Sequence, residues 1–370
     1  MSLSVAVTSA RWIPPAFDIL EAAQGCARNW KGPPLELTIK AHEQAIGVLR
    51  KLADGTLVSA AAGEIKLWKR RMVPRSLIGH NKDISVLIEM NEGRLATASL
   101  DGSLKFWKHA LCEKTLGDAG PFYELVPLKN GNLMCLSAAG QAAQLRGNDG
   151  ALLREIPELK NVRASLSLEG GVAAFGTADG RIKLYNEEGA FLRDLEGHAG
   201  KVTALVMLKD GVLASAGEDA TLKLWSKEAS CLRTCAGHSK GIATLIERQD
   251  GTLATGSYDH TIKIWSREGH CLRTLTGHTA PVLKVLDLQD GTLVSASCLA
   301  PKDDAGMIKL WGRGGGCLNT LRFEGQDIFH LMEYDTGTLV GTLVKDTLND
   351  AETGWGDIKF WTFPPMQSLG

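Results

Sequence analysis

The stretch GHSKGIATLIERQDGTLATGSYDHTIKIW, Gly237–Trp265, decides the fold. Ile242 to Ile246 alternates apolar and polar residues, as a half-buried strand does. Asp250-Gly251 is a tight-turn dipeptide, the strongest short-range hairpin signal. Leu253 to Ser257 reads as a second strand, Tyr258-Asp259-His260 as a second turn, and Thr261 to Trp265 as a third strand. Past the turn Arg267-Glu268-Gly269, Cys271 to Leu275 makes a fourth. Four short strands cannot cover both faces of their own sheet, so the unit needs neighbours.

The chain supplies them. Blocks ending at Trp68, Trp107, Trp225, Trp265, Trp311 and Trp361 repeat the same closing pattern, and eroded copies end at Leu145 and Tyr185. The steps between these end points are 38–40 residues, stretching to 46 and 50 for the last two. Such a period marks one supersecondary unit repeated. A second marker agrees: a Gly-containing turn follows the first strand of every unit, at Gly55, Gly93, Gly131, Gly171, Gly211, Gly251, Gly291 and Gly337. Both markers count eight. Four-stranded sheets stacked radially bury each other's faces, so the expected fold is all-β, an eight-bladed propeller of antiparallel blades. Thr362 onward offers no good fourth strand for the last unit. Leu35 to Ile39, before Ala41-His42, has the pattern of Leu272 to Leu275 before Gly277-His278, so this N-terminal strand is expected to close the ring. The organisation is thus a segment 1–34, one propeller over 35–361, and a tail 362–370. Phe17, Ile19, Leu20 and Ala23 are spaced like one face of a short helix after Pro14-Pro15, a cap on the ring or a docking segment.

Composition limits the function. The net charge is −1, so no global field draws nucleic acid or an anionic membrane. No apolar run approaches the ~18 residues that span a bilayer. Of eight cysteines, Cys112, Cys231, Cys271 and Cys317 share one slot after the closing Trp. That slot reads as a packing position filled by buried reduced thiols, in a cytoplasmic compartment. Cys231 and Cys235 have no second pair or His cluster to complete a zinc site, so neither metal nor cofactor is expected.

Gly-His, an acid six residues before Trp, and the Trp itself recur in phase, and in this the chain resembles the WD-repeat family. The resemblance covers about 35–361. It implies a buried set of His, Ser/Thr, Asp and Trp in each blade: His80, Thr97, Asp101, Trp107; His198, Ser215, Asp219, Trp225; His238, Thr255, Asp259, Trp265. The seventh unit offers His278, Ser295 and Trp311 with Asp303 or Asp304. Units 1, 3, 4 and 8 depart from it: Ala62 replaces the acid in the first, Asp118 and Leu145 the His and Trp in the third, Glu158 and Tyr185 those in the fourth. The eighth lacks His and acid. Those four blades are expected to rest on apolar packing. A trio repeated in blade after blade and capped by an indole is satisfied buried polarity rather than a catalytic triad, so no catalytic residue is expected.

In this family the loops between units and the turns between second and third strands share one rim, the top, where partners bind. Aligned on the Gly turns, the slot opening each first strand holds Gly47, Ser85, Tyr123, Arg163, Thr203, Ala243, Leu283 and Phe329. The slot before the turn acid holds Leu100, Ala178, Glu218 and Tyr258. The candidate partner-binding residues are therefore Tyr123, Arg163, Lys201, Tyr258 and Phe329, with Trp355 in the longer of two acidic insertions, 298–306 and 345–356. The alternative is that these aromatics fill the channel. The expected function is a non-catalytic, monomeric scaffold binding a protein or peptide, with ubiquitin one candidate. Recognition of phosphorylated peptides and a propeller-based enzyme are the alternatives. A phosphate site wants clustered Arg, and these slots supply one.

Overall fold

The computed structural model describes residues 4–7, 34–69, 74–117, 119–137, 142–297, 306–345 and 356–363. Among them eight sheets follow one another as blades 1 to 8, in blades 1–7 each strand pairing antiparallel with its sequence neighbour. Blade 6 comprises Ile242–Glu247, Leu253–Ser257, Ile262–Trp265 and Cys271–Leu275. The expected strands are all present.

Why the second strand reads LATGS, LATAS or LASAG follows from its place. It lies between neighbouring blades on both faces, so every residue of Leu95–Ser99, Leu213–Gly217 and Leu253–Ser257 is buried. Two-sided burial removes the polar alternation, and small residues let adjacent blades approach. The outermost strands are the opposite case, exposed along most of Cys231–Ala236 and Cys271–Leu275. Cys112, Cys231, Cys271 and Cys317 sit on these strands and are exposed and free. They are not the buried thiols expected, because no further blade layer covers an outermost strand. Each Sγ lies near a threonine hydroxyl three residues on, as Cys231 does to Thr234 at 3.6 Å.

The turn glycines hold left-handed backbone, with φ of 81° at Gly251, where a side chain on Cα is disfavoured. Where an Asp or Asn precedes the glycine, its side chain reinforces the turn: Asp250 Oδ1 accepts from Thr252 N at 3.0 Å, and Asp290 Oδ1 from Thr292 N at 2.8 Å.

Blade 8 contains both ends of the ring. Leu35–Lys40 pairs antiparallel with Asp357–Thr362, from Leu35 opposite Thr362 to Lys40 opposite Asp357. Ala41 and His42 N–H groups both donate to Gly356 O, and Lys359 meets Glu36. Leu37 and Ile39 are buried with Trp68, Tyr334 and Phe360. Ser4–Val7 adds a fifth strand, parallel to Leu35–Lys40. The helix expected from Phe17 to Ala23 lies outside the described residues.

One register differs from the sequence reading. Leu133 pairs with Arg146, as Leu95 pairs with Trp107 and Leu213 with Trp225. Arg146, not Leu145, therefore occupies the Trp slot of blade 3. Side chains alternate along a strand, so one residue's shift exchanges the faces. Leu145 instead joins the cluster toward blade 4, with Tyr185 and Phe175. Arg146 is buried and donates to Gly150 O at 2.9 Å and Gln144 Oε1 at 2.8 Å, with its guanidinium 5.9 Å from the Phe122 ring.

Candidate functional site

Two constellations of polar side chains need sorting, one inside the blades and one on the channel and its rim. Inside blade 6, Trp265 Nε1 donates to Thr255 Oγ1 at 2.8 Å, and the same oxygen meets His238 Nε2 at 2.8 Å. His238 Nδ1 faces Asp259 Oδ2 at 2.7 Å. With Nδ1–H given to the carboxylate, Nε2 is the acceptor and the threonine O–H donates to it. Burial lowers the pKa of His238, and Asp259 opposes this only in part. Burial pushes the Asp259 carboxyl up, but hydrogen bonds from Thr261, His238 and Ser239 N more than reverse it, leaving it at about 2. Blade 5 repeats the set with His198, Ser215, Asp219 and Trp225; blade 2 keeps His80, Thr97 and Trp107, but Ser103 Oγ, 2.8 Å from His80 Nδ1, donates to Asp101 Oδ1 at 2.6 Å and links the two.

In each set the hydroxyl is wholly buried and its oxygen is held by an indole N–H. A nucleophile needs a reachable substrate position, and these have none. The network is structural.

The four divergent blades separate into two groups. Blade 1 keeps His42–Ser59–Trp68 at 2.8 Å per contact, and Glu64 approaches His42 Nδ1 at 3.5 Å. The expectation that blade 1 lacks an acid is corrected: its turn is shorter, and a glutamate from the third strand replaces the turn aspartate. Blade 3 substitutes the Arg146 contacts; its Asp118 is outside the described residues. In blades 4 and 8 the buried Tyr185 Oη and Trp361 Nε1 have no partner among the described residues. Tyr185 packs edge-on against Phe175 and Phe191, with centroids 5.9 and 5.6 Å away, so apolar packing does replace the network there. Gly341 stands where blade 8 needs the hydroxyl, two residues past Leu339, the partner of Trp361. In blade 7, Ser295 links His278 and Trp311, while Asp303 and Asp304 are outside the described residues.

The rim is built by a recurring irregularity. Ser85, Tyr123, Arg163, Thr203, Ala243, Leu283 and Phe329 each sit at a β-bulge in the innermost strand of their blade. A bulge re-aims one side chain out of the pleat. At three of these positions the side chain stitches the ring. Ser85 Oγ donates to Phe122 O at 2.5 Å, Tyr123 Oη to Val162 O at 2.9 Å and Thr203 Oγ1 to Ile242 O at 2.6 Å, each reaching the next blade. Tyr123 is half-buried, and burial pushes its hydroxyl pKa up to about 12. Arg163 and Phe329 have no such duty: both are exposed, and Phe329 stands edge-on to His330 with centroids 4.6 Å apart.

The turn slot lies on the same rim. Leu100, Ala178, Glu218 and Tyr258 N–H groups donate to Asp83, Asn161, Lys201 and Gly241 carbonyls in the loops entering their blades. Tyr258 and Leu100 side chains are exposed, and Lys201 Nζ pairs with Glu218 Oε1 at 2.8 Å. Trp355 and nearly all of both insertions lie outside the described residues.

Below the rim the innermost strands enclose the channel, whose charged lining the sequence reading missed. Its upper chamber, about 860 Å³, reaches the rim at Gly47, Ser85, Tyr123 and Arg163 and is lined below by Arg50, Lys51, Glu124, Lys284, His330 and Glu333. A second chamber of about 360 Å³ shares Arg50, Lys51, Leu87 and Glu124. Burial raises the carboxyl pKa of Glu124 and of Glu333. Burial, with Lys284 and Arg50 nearby, lowers His330 to about 3, so it is neutral. The signal available in sequence was charge placed within innermost strands: VLRK at Val48–Lys51 and VLKVLD at Val282–Asp287. Among the described residues no three His, Cys, Asp or Glu side chains converge as metal ligands.

Comparison with known proteins bears on this architecture. The WD domain, G-beta repeat family profile matches residues 72–108, 189–226, 229–266 and 269–312. No curated protein sequence matches the chain. Among solved structures, the computationally designed Ika8 protein superposes with a TM-score of 0.71 at 24% identity, over 90% of this chain and 100% of that one. The C-terminal WD40 domain of Sif2 gives 0.67 at 16% identity, over 85% and 94%. The WD40 β-propeller domain of Doa1 gives 0.53 at 20%, over 72% and 95%. These identities speak for the fold alone, but the four matched repeats carry the same Gly-His, acid and Trp chemistry that the blades display. Four matched repeats and neighbours that are WD40 propeller domains together support the WD40 β-propeller family for this chain.

Proposed function

We propose that the protein is a non-catalytic interaction scaffold that holds a protein or peptide partner on its top rim, ubiquitin being one candidate. WD40 propellers generally mediate protein–protein contacts and are generally non-catalytic. The observation that carries the reading is the unequal use of one slot. Where Ser85, Tyr123 and Thr203 spend their side chains on the neighbouring blade, Phe329 and Arg163 are left exposed. Exposed aromatics and arginine at a rigid rim have the composition of interface anchors. Tyr258 and Leu100 extend the patch along the turn slot, and Lys201 adds a rim charge already balanced by Glu218. Tyr123 contributes shape rather than a free hydroxyl, and Trp355 belongs to the reading by its sequence position. A monomer working in the cytoplasm fits this role.

The test is affinity capture with wild-type protein and with Tyr258→Ala/Phe329→Ala, the recovered proteins being identified by mass spectrometry. The reading expects partners lost from the variant. Identical recoveries from both would refute it.

A further inference from the structure

Resting on the top-rim reading, we infer that the partner inserts an acidic segment into the upper channel, its Asp or Glu carboxylates seated on Arg50 and Arg163. The two guanidiniums carry the argument. Both line the chamber, and neither makes a hydrogen bond or ion pair among the described residues. Several arginines outside the chamber are paired instead: Arg94 with Glu113, Arg248 with Asp287, Arg181 with Asp194. An unpaired guanidinium inside a cavity keeps five donors for an incoming acceptor.

The surrounding charge has the same sign. Arg50, Lys51, Arg163 and Lys284 face Glu124 and Glu333, in a chain whose overall charge is −1. Glu124 is already engaged by the Ser165 hydroxyl at 2.5 Å, and Lys51 by the Tyr334 carbonyl. A cavity with low-dielectric walls concentrates such an excess and draws anions to its mouth.

Arrangement decides which anion. Arg50 belongs to blade 1 and Arg163 to blade 4, with two blades between them along the ring. One phosphate wants convergent arginines. Carboxylates spaced along an extended chain, which advances ~3.3 Å per residue, can meet separate cations in turn. Tyr123 and Phe329 at the mouth offer apolar surface to the intervening residues.

Fluorescence anisotropy tests this on the full chain, with three labelled probes: a peptide of alternating Glu and Ala, its Gln/Ala counterpart, and a singly phosphorylated peptide without Asp or Glu. The Glu/Ala peptide should bind best, and more weakly as salt rises. Arg50→Gln and Arg163→Gln should each weaken it about ten-fold, the value of one charge-assisted contact. Arg50→Lys and Arg163→Lys should recover part of the loss. Equal binding of the Glu and Gln peptides overturns the inference, as does tighter binding of the phosphopeptide or an affinity unmoved by both Gln variants. If a Gln variant melts early, its Lys counterpart and the wild-type comparison of probes still decide. Failure here, with capture still lost in Tyr258→Ala/Phe329→Ala, would remove the acidic segment and leave the rim reading standing. Acidic-peptide binding with unchanged capture would do the reverse.

Discussion

Ile39→Ala probes the closure of the ring. Ile39 lies in the strand that the N-terminal part of the chain contributes to blade 8, opposite Ile358, and is 2% exposed. Truncating a buried isoleucine costs about 2–5 kcal/mol, depending on how far the cavity collapses. The upper half of that range applies, because the site is walled by Trp68, Tyr334 and Phe360, large side chains with little room to shift. At a urea slope of ~3 kcal/mol per molar, that is a fall of about 1.2–1.7 M in the unfolding midpoint. Leu272→Ala is the control. It likewise truncates an aliphatic side chain on the fourth strand of a blade, but one that is 52% exposed, so the change should stay within about 0.5 kcal/mol. Urea unfolding followed by tryptophan fluorescence and far-UV circular dichroism gives both values. If Ile39→Ala unfolds at the same urea concentration as Leu272→Ala, the N-terminal strand does not hold the ring and the closure argument is wrong.

Acid should unfold the protein through its histidines. Burial lowers His42 to about 4, and His278 and His330 to about 3, from an ordinary 6.5. The unfolded chain therefore binds protons that the fold refuses, and stability present above pH ~6.5 is lost as pH falls, by about 2–3 kcal/mol for each of His278 and His330 at pH ~4.5. Circular dichroism across that range checks this, and a flat denaturation midpoint from pH ~7 to ~4.5 would contradict it. Gly150→Ala should cost about 1–3 kcal/mol more than Gly251→Ala. Both glycines have φ near 82°, but a Cβ at Gly150 meets Leu116 Cδ1 at 2.5 Å and Phe106 Cε2 at 2.8 Å, whereas at Gly251 it meets nothing within 4 Å. Equal midpoints for the two variants would refute that packing.

Blade number and closure were legible because they rest on residues the backbone demands. A left-handed turn selects glycine at Gly251 and its seven counterparts, and a slot between two blades selects the Leu-small-Ser/Thr-small run. What escaped depended on a single residue of register or on space. Within AAQLR, 142–146, the apolar pattern favours Leu145 as the Trp substitute. The ladder puts Arg146 there, and its stem and carbonyl partners make the long side chain acceptable. In blade 1 a shorter turn removes the aspartate's position, and Glu64 reaches the histidine from the strand instead. The exposed thiols were misread because recurrence in phase marks a structural slot without telling which side of the sheet the slot faces. The rim slots were readable, yet the same slot holds ring-stitching hydroxyls in some blades and exposed Arg163 or Phe329 in others. Arg50 and Lys284 stand out as charges in inner strands, but their common site could not be read: they meet only where inner strands of distant blades converge on one channel.

The central claim is that the buried network carries stability while the rim carries function. Thr255→Val separates them. The substitution keeps the shape but leaves Trp265 Nε1 and His238 Nε2 without their shared hydroxyl, at about 1–3 kcal/mol for each buried group. Capture of partners by the folded Thr255→Val protein, measured beside its urea midpoint and those of Tyr258→Ala/Phe329→Ala, is the most direct measurement. The account predicts a lowered midpoint with partners retained for Thr255→Val, and an unchanged midpoint with partners lost for the rim variant. Partners lost from folded Thr255→Val, or retained by the rim variant, would contradict it.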